Sequence, residues 1–159
     1  MHQELAQLGG GAHALAIQIL GNVDDAADAV HDAFAAALAK PDAYDPRKGP
    51  LKPWFMRVVR NRSLDMLRRR RDNSMAIEEV IDPAGGPEEA LGVAQRTLAI
   101  KRALAAIPRD KREIIVLRDY LDLSYAEIAD VLDIAQGTVM SRLHRARLAL
   151  KEVLNSDGK

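Results

Sequence analysis

Residues 124–147, SYAEIADVLDIAQGTVMSRLHRAR, decide the reading of this chain. Ser124 and Glu127 stand at the S-x-x-E spacing of a capping box, in which each side chain satisfies a backbone donor left free at a helix start. Ile128, Val131 and Leu132 follow as one apolar face at helical spacing. Asp133-Ile134-Ala135 is long enough only for a turn. The next helix carries Val139, Leu143, Ala146 and Leu150, which fall on one narrow arc at about 100° per residue. Gly137, Ser141, His144 and Arg145 face the other way, and Arg142 and Arg147 flank them. Thr138 and Met140 belong to the same candidate DNA-contacting set. Two helices, a tight turn and an outward surface of small and hydrogen-bonding residues edged by arginines are what a major-groove reader needs. A helical hairpin with a solvated basic face is the competing reading. Agreement of cap, turn length and outward set favours DNA contact.

Composition narrows the rest. A chain of 159 residues holds one ordinary domain or two small ones. Aromatic residues make up only 4%, while alanine and leucine abound, which favours helices. There is no run of period-two alternation, so an all-α protein is expected, with two small helical domains. No segment approaches the ~20 apolar residues of a membrane span, and the start lacks the pattern of a secretory signal. The chain has no cysteine, which removes disulfides, thiolate metal sites and a cysteine nucleophile. A cytoplasmic location is the resulting expectation.

Net charge is zero, so distribution matters more than total. Glu78, Glu79, Asp82, Glu88 and Glu89 face a single basic residue, Arg96, within residues 76–100. Pro83, Gly85, Gly86 and Pro87 interrupt any helix there and read as a flexible linker. The expected organisation is an N-terminal domain at 1–74, a linker at 75–93 and a C-terminal domain at 94–159.

In the first half, His13 to Leu20 has a helical pattern, and Gly9-Gly10-Gly11 before it should fray or break the helix. A second helix is expected from Asp24 to Ala39. Its inward arc holds Ala26, Ala27, Val30, Phe34, Ala37 and Leu38. Asp25, Asp28 and Asp32 form an outward acidic stripe, which is either a solvated face or a dock for a partner's basic helix. After a loop at Lys40–Lys52, a third helix should start near Pro53, where proline suits the first helical position, and run to about Arg71. Trp54, Arg57, Asn61, Asp65 and Arg68 lie within about a quarter-turn of one another on it. An aromatic plane, amide and carboxylate readers and flanking arginines suit an unstacked DNA strand. The alternative has Trp54 in the core and Asp65 paired with Arg68 or Arg69.

Taken together, three segments resemble a known family: VDDAADAVHDAF, then GPLKPWFMRVVRNRSLDMLRRRR, then IPRDKREIIVLRDYLDLSYAEIADVLDIAQGTVMSRLHRARLAL. In that order, separated by a variable linker, they are similar to extracytoplasmic-function (ECF) sigma factors, the small class of bacterial RNA polymerase initiation factors. The resemblance implies that Asp25, Asp28 and Asp32 lie on a helix that binds the polymerase clamp. It implies that the loop Tyr44–Lys52 and the following helix melt and read the minus-ten promoter element. Tyr44, Lys48, Trp54, Arg57, Asn61, Asp65, Arg68 and Arg69 are the candidates there. The helix from Gln136 to Arg147 would read the duplex minus-thirty-five element. Core RNA polymerase, promoter DNA and an anti-sigma factor are the implied partners, with no membrane insertion and no cofactor. Some positions depart from the family. His31-Asp32 stands where Gln-Glu is common, Met140 replaces a basic residue and His144 an aromatic one. Gly9–Gly11 is unexpected in the first helix, which in the family has more chain before it.

Two other readings compete. One is a sigma-like mimic that occupies an anti-sigma factor without starting transcription. The other is a plain helix-turn-helix regulator, which leaves the first half unexplained. Catalysis is not expected. His2, His13, His31 and His144 have no metal-ligand spacing, no glycine loop cradles phosphate, and Asp24-Asp25 is no acid/base pair.

Overall fold

Helices make up every regular element among the described residues, 2–73 and 91–157 of a computed structural model. The first half contains α1 (His2–Gln7), α2 (Gly9–Leu20), α3 (Val23–Ala39) and α4 (Leu51–Asn73), with two single-turn helices at Pro41–Ala43 and Pro46–Lys48 between α3 and α4. The second contains α5 (Leu91–Ala105), α6 (Arg109–Ile115), a π-helical turn (Val116–Tyr120), α7 (Tyr125–Leu132) and α8 (Gln136–Asp157).

The glycine run does not break its helix. The chain breaks one residue earlier, at Leu8, and Gly9, Gly10 and Gly11 form the first turn of α2. Three helical glycines cost about 1 kcal/mol each against alanine. Burying Leu15, Ile19 and Leu20 returns roughly 1.5–3 kcal/mol apiece, so packing outweighs propensity. Gly21 then ends α2 in the left-handed conformation, φ 81°, with its N–H on the Ile17 carbonyl. Asn22 caps α3 by accepting from the Asp25 N–H at 2.7 Å.

On α3 the buried arc is Ala26, Ala29, Val30, Ala33 and Ala37. Ala27 and Leu38, expected inward, are exposed, and Phe34 is half-buried. The buried arc is turned toward Ala29 and Ala33, and α3 packs against both α2 and α4. Helix α4 starts at Leu51, two residues before Pro53, so the proline sits within the first turn, where no intrahelical N–H bond is lost. Phe55, Met56, Val59 and Ser63 form its most buried face, with Val58 and Met66 partly buried beside it.

The buried side chains form one core that crosses between the halves. The two helical domains expected from the sequence are both present, and they also share packing. Helix α2 packs on α6 and the π-helical turn, and α4 packs on α7. The expected linker falls largely outside the described residues. Helix α5 begins at Leu91, inside the stretch assigned to it.

Candidate nucleic-acid interface

The helix-turn-helix is built as its sequence requires. Ser124 Oγ accepts from the Glu127 N–H at 3.1 Å, and Glu127 accepts from the Ser124 N–H at 2.9 Å, closing the capping box. Asp133 turns the chain at φ 59°, a conformation that aspartate tolerates better than most residues. Ile128 and Val131 of α7 and Val139, Leu143 and Ala146 of α8 are buried, with Leu150 half-buried. Gly137, Met140, Ser141, Arg142, His144, Arg145 and Arg147 are exposed, and Thr138 is half-buried. Ser141 donates to the Thr138 carbonyl at 3.1 Å, leaving its oxygen lone pairs outward. Met140 is 59% exposed, an apolar residue on a polar face.

Arg147 differs from its arginine neighbours. Its Nε donates to Asp119 at 3.1 Å and its Nη2 to the other carboxylate oxygen. The hydrogen bond with Asp119 holds the guanidinium pKa above its ordinary value. The pair ties α8 to the π-helical turn and fixes where this charge sits.

In the first half, Tyr44 and Trp54 stack at a tilt, ring centroids 5.3 Å apart, both half-buried. Tyr44 donates to the Gly49 carbonyl at 2.7 Å, bracing the loop from both ends. Gly49 has φ 150°, which favours glycine there. Asp45 accepts from the Arg47 N–H at 3.0 Å and from its Nε at 3.1 Å. The Arg47 side chain holds the Asp45 carboxyl below the usual carboxylate range. Arg57, Asn61, Asp65, Arg68 and Arg69 are exposed along α4, and Lys48 is exposed in the loop. Asp65 pairs with Arg68, as the i,i+3 alternative anticipated.

The acidic stripe is not uniform. Asp25 is half-buried and accepts from Arg70 Nη1 at 2.6 Å, while Arg70 also donates to the Leu20 carbonyl at 2.9 Å. Asp32 lies 3.9 Å from Arg62. Asp28 is exposed and joins no ion pair among the described residues, which leaves it the most available acid of the three.

Five residues that join the halves or support that junction escaped the sequence reading. Glu113 is 1% exposed and accepts from Arg60 Nε at 2.6 Å, an ion pair between the halves. Arg109 lies 3.6 Å from its second oxygen. Arg112 places Nε and Nη2 on the Gln18 carbonyl at 3.2 and 2.9 Å, and Lys52 donates to the Leu121 carbonyl. A lone glutamate inside the apolar run Glu113–Leu117 was the one available signal. Among the described residues no group of histidine, cysteine, aspartate and glutamate has metal-site geometry, and no helix is long and apolar enough to cross a membrane.

A two-part helical chain with this outward α8 surface matches known families in both halves. Residues 6–73 match Sigma-70 region 2, and residues 97–150 match Sigma-70 region 4. Similar curated proteins include the ECF RNA polymerase sigma factors SigW of Bacillus subtilis and EcfG of Rhodopseudomonas palustris. SigW is 29% identical over 89% of this chain and 82% of its own length; EcfG is 32% identical over 91% and 80%. SigE of Mycolicibacterium smegmatis is 35% identical over 89% of this chain, which spans 56% of SigE. In solved structures, RpoE of Bartonella quintana, in complex with the anti-sigma factor NepR, superposes with TM-score 0.82. Its identity is 30%, and the match covers 98% of this chain and 97% of that one. CnrH, in complex with the cytosolic domain of CnrY, superposes at 0.70 with 27% identity, covering 98% and 88%. The chain belongs to the ECF sigma factors of the sigma-70 family.

Proposed function

We propose that this sigma factor divides promoter recognition between its halves as follows. Helix α8 enters the major groove of the upstream element. Ser141, His144, Arg145 and Met140 meet base edges, while Arg142 and Arg147 meet phosphates, Thr138 and Gly137 lying at the helix entry. The loop Tyr44–Lys52 and α4 take the melted downstream strand, with the Tyr44–Trp54 pair as a stacking platform and Asn61 as a base reader. Lys48, Arg57, Arg68 and Arg69 supply the cations that phosphates need. Asp65 reads a base only after giving up Arg68. Asp28, with Asp25 and Asp32 beside it, docks on core polymerase. Regulation is by an anti-sigma protein, as the complexes of RpoE with NepR and CnrH with CnrY suggest by similarity. No step is catalysed by the factor itself.

One observation carries the reading: α8 buries Val139, Leu143 and Ala146 while leaving seven of the eight candidate readers exposed. A helix that served only packing would not present serine, histidine and three arginines together on its open side. The test is reconstitution with core polymerase on a library of randomised promoters. Transcripts should start downstream of two shared sequence boxes. Core binding without transcription would favour the mimic, and DNA binding without core binding would favour the plain regulator.

A further inference from the structure

The arginines on the open side of α8 are not equivalent. Arg142 and Arg145 are exposed and join no ion pair among the described residues. Arg147, also exposed, donates Nε to Asp119 Oδ2 at 3.1 Å and Nη2 to Asp119 Oδ1. The carboxylate comes from another element, the π-helical turn, and its carrier is fixed. Leu117 before it and Leu121 after it are buried, and the Leu121 N–H reaches back to the Val116 carbonyl at 2.8 Å. Arg118, next to Asp119, donates to the Leu123 carbonyl at 2.7 Å and lies 5.1 Å from the centre of the Tyr125 ring. Stability is a weak reason for the Asp119–Arg147 pair. The two side chains are 43% and 48% exposed, and an exposed pair contributes about 0–1 kcal/mol. An acid beside a surface that meets phosphates also opposes binding, so its place there calls for another account.

We propose that Asp119 is a specificity-determining residue that touches no base: it positions Arg147 to meet a backbone phosphate only in the register where Ser141, His144 and Arg145 meet their bases. This rests on α8 being the reader of the upstream element. Phosphates repeat identically along a duplex and carry no sequence information, so a free arginine on its long stem can reach whichever is nearest. A held arginine cannot. With Nε and one Nη2 hydrogen on Asp119, the remaining donors of Arg147 lie on Nη1 and Nη2, the edge that grips a phosphate through two parallel hydrogen bonds. Asp119 also offsets the charge of Arg147, which weakens its pull on phosphates at sites where the bases do not fit. Both effects act in one direction. They lower affinity for wrong sequences more than for the right one, and discrimination is the difference between the two.

The full chain bound to core polymerase would be titrated against two promoter duplexes over a range of salt. One carries the upstream box that wild type selects, and the other has that box scrambled. Asp119→Ala should tighten binding to the scrambled duplex by about three- to tenfold, with a salt slope steeper by up to about one. Binding to the selected duplex should change by less than about twofold, so discrimination falls at least about threefold. In an Arg147→Ala background the same substitution should leave discrimination unchanged, because Asp119 acts through that arginine. Asp130→Ala removes an exposed negative charge from α7 and should discriminate as wild type does. Equal tightening on both duplexes would make Asp119 a repelling charge only and overturn the proposal. So would an Asp119→Ala loss that persists without Arg147, or one that Asp130→Ala reproduces. If wild type selects a box and Asp119→Ala discriminates equally well, only the role of Asp119 is lost. A wild type that selects no upstream box sinks the promoter reading and this proposal together.

Discussion

Replacing Arg60 with alanine would leave Glu113 buried with Arg109, 3.6 Å away, as the remaining cation beside it among the described residues. Breaking a buried ion pair from one side costs about 3–5 kcal/mol, because the remaining charge keeps its desolvation penalty and loses its partner. Two features reduce that figure here: the Arg60 side chain is 21% exposed, and Arg109 can move closer. About 2–4 kcal/mol is therefore expected for Arg60→Ala. For a chain of this size each kcal/mol lowers Tm by roughly 2–4 °C, so the melting point should fall by about 4–16 °C. Arg68→Ala is the control. Its pair with Asp65 is exposed on both sides and should contribute ~0–1 kcal/mol. The double variant Arg60→Met/Glu113→Leu should recover most of the loss, since apolar groups of similar volume remove the desolvation problem. Urea unfolding followed by circular dichroism reads all four proteins. Because the pair crosses between halves, the loss should appear in one cooperative transition. If Arg60→Ala loses under about 0.5 kcal/mol, or only one half melts early, the shared core does not hold the molecule as described.

Three further outcomes are expected. Asp28→Lys should weaken core-polymerase binding in a pull-down without changing Tm, whereas Asp25→Lys should also lower Tm, because it faces Arg70 with like charge at a half-buried site. Met140→Arg should change the preferred base at one upstream position in selection from a randomised duplex pool, since methionine offers only apolar contact, such as to a thymine methyl, whereas arginine reads guanine. Ser124→Ala should cost about 1 kcal/mol in urea unfolding through loss of the α7 cap, and Ser124→Asp should restore most of it.

Much of α7 and α8 was legible because their signals are local. A cap at fixed spacing, a three-residue turn and a single apolar arc fix Ser124, Glu127, Val139, Leu143 and Ala146 without reference to any other element. The inward face of α3 was less legible. Alanine fits either side of a helix, so Ala27 and Ala33 could not be sorted until α2 and α4 were in place. Gly9–Gly11 misled for a related reason: helix propensity is local and small, and the burial that overrides it comes from elements far along the chain. The packing between halves left almost no trace. Arg60, Arg112 and Lys52 look like ordinary surface cations in sequence, and their partners lie 53, 94 and 69 positions away. For the candidate site, the exposed polar face of α8 was visible, but the Asp119–Arg147 pair was not, because it joins residues from two elements.

The division of labour between the halves is the central claim, and promoter selection by the assembled polymerase tests it most directly. Core polymerase carrying wild type, Arg145→Ala or Asn61→Ala would be challenged with one library randomised over both elements, and transcribed sequences would be counted. Arg145→Ala should flatten preference only in the upstream box, at a cost of about 1–3 kcal/mol on the favoured base. Asn61→Ala should flatten preference only near the start site, leaving the upstream box as in wild type. Identical profiles for all three proteins, or an Arg145→Ala change confined to the downstream box, would contradict the assignment of α8 and α4 to separate DNA elements.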